Sequence, residues 1–596
     1  METLNAAVNE SYTGAPGNYY NDSSLIVAAR DGTQDGYDEG FLDFYQVHCY
    51  KPPGEPNWNA SLINVLNHRY DSPAYAGGFD KPVLVGEVST TGSVEGNWTS
   101  SQLYRAVYHN GWAGVLGWQL AGGERSDTVR DLMQGMQALQ FAPGLEPPDL
   151  AHSNTVDMPL RSSDDLVEMH ARLEELTSDA MEFWKLHIVD TVKGGCFGTL
   201  DRHGAPTVPR DKGLIQTAQH LLAFSIWYEL RDSSAAIRSI ADHMYAHITD
   251  KFGIVHPDTN LTEFAYRVTE DGVVADNRTV LLAQAWVIDA FSVYGRVFNN
   301  SAAKQRALEL FRSIDARAHD VQRGGYNERN DVGWLTDGAT RSTGTMRSLM
   351  DSFVSLHKAT ADHIVVSRLQ EVALLLARNL TAMLPTANFS LALVSSQYDD
   401  HWRPVPAAFS RLSVGENLAT ALSLFQVCEY LDSNWSAEHE ASVRASAIAL
   451  TATAARYGHD FAHGGFFEFV LLNITQSSEA NRLDVTTSTT TESRTKIWWI
   501  QAQALSALWH ARKECGDAHY VTLLQSTLHW IEYYQRDLRY KQTEWFWSVG
   551  EDAVKGIRSA TGPMEKGSEW KTSLQTSRSL VITSNDISSW LDMLLL

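Results

Sequence analysis

Twelve helical segments recur from residue 164 to the end of the chain, and their rhythm limits the fold more than any other feature. Apolar residues return at helical spacing over about 164–186, 213–231, 233–250, 278–296, 301–319, 342–360, 362–383, 413–432, 436–457, 496–513, 516–536 and 574–595. Taken two at a time they make six pairs, and every second segment begins roughly 60–85 residues after the last, the signature of a repeated helical hairpin. Between pairs lie glycine-rich turns, Lys193-Gly194-Gly195-Cys196-Phe197, Arg323-Gly324-Gly325-Tyr326 and His463-Gly464-Gly465-Phe466-Phe467, with Glu544-Trp545-Phe546-Trp547-Ser548 in the same place before the last helix. Their glycines permit tight connections between short strands. Six hairpins closed in a ring make an (α/α)6 barrel, with the second helix of each pair inside.

The stretch 491–505 starts one of those inner helices. It sets Trp498 and Trp499 beside Lys496, Gln501 and Gln503, a surface too polar for a plain core and too aromatic for a solvated face. Indoles next to hydrogen-bonding side chains suit a sugar, whose ring faces are apolar and whose rim is hydroxyl.

Composition narrows the partners. A formal charge of −23 over 596 residues argues against nucleic acid and anionic membranes. No apolar run reaches the ~18 residues that cross a bilayer, so no membrane insertion is expected. Eighteen tryptophans and twenty-two tyrosines suit carbohydrate binding. Cys49, Cys196, Cys428 and Cys515 have no metal-ligand spacing, and neither a metal nor another cofactor is expected. Asn-x-Ser/Thr triplets begin at Asn9, Asn21, Asn59, Asn97, Asn260, Asn277, Asn299, Asn379, Asn388, Asn434 and Asn473. So many point to N-glycans and a secreted or secretory-lumen protein. The first residues hold no basic and apolar leader, so the expectation is that the start of the protein lies upstream.

Residues 1–145 follow a different pattern. Strand candidates at 25–29, 44–50, 82–88 and 114–120 alternate with amphipathic segments, the order of βα units, and end in Arg30 and Asp31, His48 and Tyr50, Glu87, and Trp118 and Gln119. In a (β/α)8 barrel such strand ends face the active site. The runs Phe44-Tyr45-Gln46-Val47-His48-Cys49-Tyr50, Lys81-Pro82-Val83-Leu84-Val85-Gly86-Glu87 and Gly114-Val115-Leu116-Gly117-Trp118 resemble the last three strands of glycoside hydrolase family 5 and its retaining relatives. The resemblance implies Glu87 as nucleophile, His48 and Tyr50 along the sugar subsite, and Trp118 as stacking platform. Such a barrel needs about 250 residues, so this is a partial TIM barrel of four βα units. The second carboxylate that retaining hydrolysis requires, ~5 Å from the first, belongs to the absent half; Asn9-Glu10 imitates it without room for the intervening helix.

A proline-rich linker over 146–162 leads into the helical domain, 163–596. The Gly-Gly-Phe turns, Asp400-His401-Trp402-Arg403-Pro404, Lys496-Ile497-Trp498-Trp499-Ile500-Gln501-Ala502 and Trp570-Lys571 followed by Arg578 resemble the superfamily of N-acylglucosamine 2-epimerase, cellobiose 2-epimerase and mannose isomerase. That resemblance implies histidines that move a proton α to the carbonyl of an open-chain sugar, an arginine that steadies the enediolate and tryptophans that hold the ring. The catalytic positions depart from it. Gln219, beside His220, stands in place of an arginine; Met346-Arg347-Ser348 before Asp351 replaces a His-x-His; Gly415-Glu416-Asn417-Leu418-Ala419 replaces Gly-His-x-x-Glu; and Gln575 replaces the last histidine. A slip of one helical step would turn His220 inward instead.

Three readings remain. In the preferred one the helical domain binds a mono- or oligosaccharide without turnover, with Trp402, Trp498 and Trp499 as platforms and Lys496, Gln501, Gln219 and Gln575 as hydrogen-bond partners. In the second, Glu416 acts as the base of an isomerase or epimerase. In the third, Glu416 pairs with Asp351 or Glu492 as an inverting hydrolase. Against the last two stands the reading of Glu416 as a helix-start acid favoured by the helix dipole. A secreted retaining β-glycosidase of mannanase or glucanase type is the alternative for the whole protein.

Overall fold

The computed structural model describes residues 45–48, 83–88 and 114–117, then 163–595 apart from 256–261, 329–340, 386–389, 406–410, 433–434, 477–482, 489–493, 538–542 and 551–564. The chain divides into two compact units, the first built on residues 1–154 and the second on most of 155–596.

In the first unit β1 (Tyr45–His48), β2 (Val83–Val88) and β3 (Gly114–Gly117) form a parallel sheet in that order. Each lies inside a stretch read as a strand from sequence. The intervals 49–82 and 89–113 exceed the dozen or so residues that a parallel crossover needs. Register sets His48 opposite Glu87 at the strand ends. Glu10, Tyr50, Trp118 and the candidate strand 25–29 lie outside the described residues.

The second unit holds twelve helices among its described residues. They are α1 (Ser163–His187), α2 (Leu214–Leu230), α3 (Ala235–His247), α4 (Leu281–Val297), α5 (Ser301–Ala318) and α6 (Thr343–Thr360). After them come α7 (His363–Leu374), α8 (Val414–Leu431), α9 (Ala437–Gly458), α10 (Trp498–Cys515), α11 (His519–Trp530) and α12 (Ser573–Leu595). The even-numbered helices pack side by side in a closed ring, α2 on α4 and so on to α12, which returns to α2. This is the (α/α)6 architecture, with the inner helices where the sequence put them.

Sequence explains the sorting. The inner α2 is apolar or neutral on nearly every face and is buried without interruption from Leu214 to Ser225, as befits a helix enclosed on all sides. The outer α5 instead buries one stripe, Ala303, Ala307, Leu310, Phe311 and Ile314, and exposes Gln305, Arg306 and Arg312. The pairing differs from the sequence reading. Tightly packed hairpins run from inner to outer helix, α2 with α3, α4 with α5, α6 with α7, α8 with α9 and α10 with α11, and the first helix closes the ring on the last. Short turns decide this, because only helices joined by a few residues fold back as neighbours. The outer helices start on side-chain caps at Ser234, Asn300, Asp362 and Ser436. Four inner helices also tie their first turn to a distant backbone: the N–H groups of Leu214, Thr343, Val414 and Trp498 donate to the carbonyls of Tyr266, Ser396, Glu468 and Trp547, and of these only α6 adds a side-chain cap, from Ser342. That requirement draws short strand segments to the end of the ring where the inner helices begin.

Candidate functional site

Three of the glycine turns are copies of one device. Asp190, Asp320 and Asp460 each stand four residues before a Gly-Gly pair, and each accepts a buried cation from two residues ahead of an inner helix. Lys212 Nζ lies 2.8 Å from Asp190 Oδ2, Arg341 Nη2 2.6 Å from Asp320 Oδ2, and Lys496 Nζ 2.7 Å from Asp460 Oδ2. Both lysines also donate to the carbonyl of the first glycine, Gly194 or Gly464. Burial pushes the Asp190 and Asp320 carboxyls up, but turn N–H groups and the partner cation outweigh it and hold both below the usual range. The second glycine is required sterically: a Cβ on Gly465, at φ +74°, would sit 2.8 Å from Gln501 Oε1 and from the Trp530 ring.

This device claims several residues expected at the sugar. Lys496 is locked into its turn and faces the Trp530 ring at 3.5 Å. Gln501 clamps the same turn, accepting from Phe466 N and donating to Phe466 O, both at 2.7 Å. Trp402, in the left-handed region at φ +58°, donates to Gly324 O and covers Arg341, whose guanidinium lies 4.5 Å from the ring centre. None of the three borders the axial cavity. Lys571 holds the corresponding place ahead of α12 without an aspartate; it donates to Trp545 O, and burial brings its ammonium down to about 7.

A cavity of about 380 Å³ lies on the ring axis, walled by the first halves of the inner helices. The sixth residue of every inner helix reaches it: Gln219, Trp286, Ser348, Ala419, Gln503 and Arg578. Trp498 and Trp499 from α10 join the wall, as do Trp547 and Trp570 from the loops before α12. The Trp498 and Trp547 rings sit 4.3 Å apart, tilted by 52°. Two ion-pair groups supply the polar wall. Arg347 Nη1 lies 3.7 Å from Glu416 Oε2, and among the described residues neither atom has a hydrogen-bond partner although both are buried. Arg578 Nη1 lies 3.7 Å from Asp289 and 3.9 Å from Asp351. Burial pushes the Asp289 carboxyl up to about 6, against the pull of Arg578. Gln575 donates to Gln219 at 2.9 Å, joining two amides on neighbouring inner helices.

Of the expected site residues, the cavity thus gathers Gln219, Glu416, Trp498, Trp499 and Gln575. Sequence reading missed Trp286, Trp547 and Trp570 as wall residues, named Gln503 only as part of the stretch around Trp499, and assigned no contact to Arg347. The sixth-residue rule would have found Trp286 and Gln503.

The sequence profile of the N-acylglucosamine 2-epimerase (GlcNAc 2-epimerase) family matches residues 195–563. The chain belongs to the N-acylglucosamine 2-epimerase family. Its relatives include the cellobiose 2-epimerase of Dictyoglomus turgidum, 22% identical over 409 residues that span 67% of this chain and 93% of that one. The solved structure of cellobiose 2-epimerase from Spirochaeta thermophila shares the fold at a TM-score of 0.59 and 20% identity, covering 72% of this chain and 98% of the other. The N-terminal part is similar to the mannan endo-1,4-beta-mannosidase of Cryptopygus antarcticus, 38% identical over 125 residues. That match takes in 21% of this chain and only 28% of the mannosidase.

No imidazole borders the cavity among the described residues. His220 faces away, bonded through Nδ1 to Ser573 Oγ at 2.8 Å and packed on Trp184, so it is a core residue and not a sugar contact. Burial drives His220 and His459 down to about 3 and His247 to about 4. An unfolded chain takes up those protons near 6.5 while the folded one refuses them, so stability present above pH 6.5 is lost as pH falls towards 4 and 3. Asp289, pushed up to about 6, and Glu468, raised by burial, work in the opposite sense, two groups against three. Urea midpoints are therefore expected to fall steadily below pH 6.5, and His220→Asn to flatten that slope; an unchanged slope would refute the assignment.

Proposed function

We propose that the helical unit holds a mono- or oligosaccharide in its axial cavity and lacks the imidazole proton relay of an epimerase. The observation that carries this reading is the wall itself: indoles of Trp286, Trp498, Trp499, Trp547 and Trp570 around paired charges, with no imidazole among the lining residues. Apolar sugar faces stack on indole, while hydroxyls give the unpartnered Arg347 Nη1 an acceptor and Glu416 Oε2 a donor. The ion pair with Arg347 favours a binding role for Glu416 over a base or hydrolytic acid. Titration with mannose, glucose, mannobiose and cellobiose, read by tryptophan fluorescence, is expected to saturate, with an unchanged sugar by NMR after prolonged incubation. Epimerised or hydrolysed product lost on Glu416→Gln would replace this reading by a catalytic one; no saturation with any sugar would end it.

For residues 1–145 we propose a glycosidase-type partial barrel, joined by the linker 146–162. Three parallel strands, the pairing of His48 with Glu87 and the similarity to a mannosidase support it. Glu87 alone cannot perform retaining hydrolysis, so mannanase or glucanase activity is the reading for a protein whose upstream residues supply the second carboxylate. The proposal of a secreted glycoprotein gains support from Asn277, Asn299, Asn379 and Asn473, all exposed. Protein from a eukaryotic host should lose mass on treatment with an N-glycosidase.

A further inference from the structure

A second cavity of about 260 Å³ adjoins the first, and Trp547 and Trp570 border both. Its other walls carry an excess of negative charge: Asp211, Glu565 and Glu569 against one guanidinium, Arg267. Arg267 Nη2 is already committed to Glu569 Oε2 at 2.7 Å. Cations close by in sequence are turned elsewhere. Lys212 serves Asp190, Lys566 lies 3.3 Å from Asp537 Oδ2, and Lys571 donates to Trp545 O. Glu565 Oε2 is buried and has no hydrogen-bond partner among the described residues. A carboxylate oxygen left in that state is costly unless a ligand donates to it. A compact metal site is not what these groups form, since the one three-ligand cluster among the described residues is Asp399, Asp400 and His401.

We infer that this side chamber is a second sugar subsite shaped for a hexosamine with a free ammonium group, contiguous across Trp547 and Trp570 with the ring held in the axial cavity. The ligand class is then a short oligosaccharide carrying at least one positively charged amino sugar. Glu565, with Glu569 and Asp211 around it, receives the ammonium by charge-assisted hydrogen bonds, and the two indoles carry the apolar faces of adjacent rings.

The inference rests on the axial cavity being a sugar site, and the test separates the two. The full chain is titrated at low ionic strength with three β-1,4 disaccharides: glucosamine–glucosamine, its N-acetylated form and cellobiose, with glucose and mannose alongside. The free-amine disaccharide is expected to bind at least about tenfold more tightly than the other two. That advantage should shrink with added sodium chloride and in Glu565→Gln, whose fold is checked by circular dichroism. Equal affinity for all three disaccharides, or an advantage insensitive to salt, overturns the inference while leaving the axial site intact. Failure of every sugar to bind overturns the axial reading itself.

Discussion

Asp460→Ala is expected to destabilise the helical unit by about 3–5 kcal/mol, the cost of leaving a buried ion without its partner. Lys496 is 2% exposed in its side chain, and without Asp460 its ammonium keeps the Gly464 carbonyl and the faces of Trp530 and Phe467. Those contacts do not replace a full negative charge. The double variant Asp460→Ala/Lys496→Met should recover part of the loss, because it removes the orphaned charge and puts an apolar chain of similar length against Trp530. Unfolding midpoints in urea, read by far-UV circular dichroism, measure both. The same variants decide what Lys496 does. If it held sugar, Lys496→Met would abolish fluorescence quenching in a protein of normal stability; a clamp predicts lost stability and unchanged affinity in the folded fraction.

The contrast between Lys496 and Trp499 marks how far sequence could be read. Twelve helices were legible because apolar periodicity is local, and their inner or outer place followed from their order, every second one lying inside. Which helices form hairpins was not, since the glycine turns drew attention to the long connections while the tight turns, at 361–362 for example, are short and marked only by a capping residue such as Asp362. Within α10 the site divides by angle. Trp499 and Gln503 lie four residues apart on one face and reach the cavity, whereas Gln501 is half a turn away and meets the Phe466 backbone. A motif that runs Lys-Ile-Trp-Trp-Ile-Gln therefore mixes turn clamp and cavity wall, and likeness to a family cannot separate them. The threefold Asp-x-x-x-Gly-Gly spacing could have: its repetition next to Lys212 and Arg341, which face no sugar, marks Lys496 as a third structural cation. Trp547 and Trp570 come from irregular loops, where no period points inward.

The largest loss of ligand is expected from Gly415→Ala, one methyl group placed against an indole that has nowhere to go. A Cβ there would lie 2.3 Å from Trp499 Cη2 and 2.8 Å from both Trp499 Cζ2 and Ile500 Cγ1. An indole cannot bend away as a long side chain does, so either Trp499 rotates off the cavity wall or α8 and α10 separate, at about 1–3 kcal/mol of stability. Losing the platform should weaken sugar binding by about 30-fold or more, the scale on which a buried tryptophan anchor is lost. Trp499→Ala should do the same to binding while leaving Gly415 uncrowded. In the double variant the added methyl no longer meets the indole, so Gly415→Ala should cost little further affinity once Trp499 is gone. The cycle thus carries a coupling of about 1–3 kcal/mol. Additive losses would mean that Gly415→Ala acts other than by displacing Trp499; undiminished binding in Trp499→Ala would mean that Trp499 and the sugar do not meet, and the axial cavity would have to hold its ligand on Trp498, Trp547 and the paired charges without the platform that Gly415 seats.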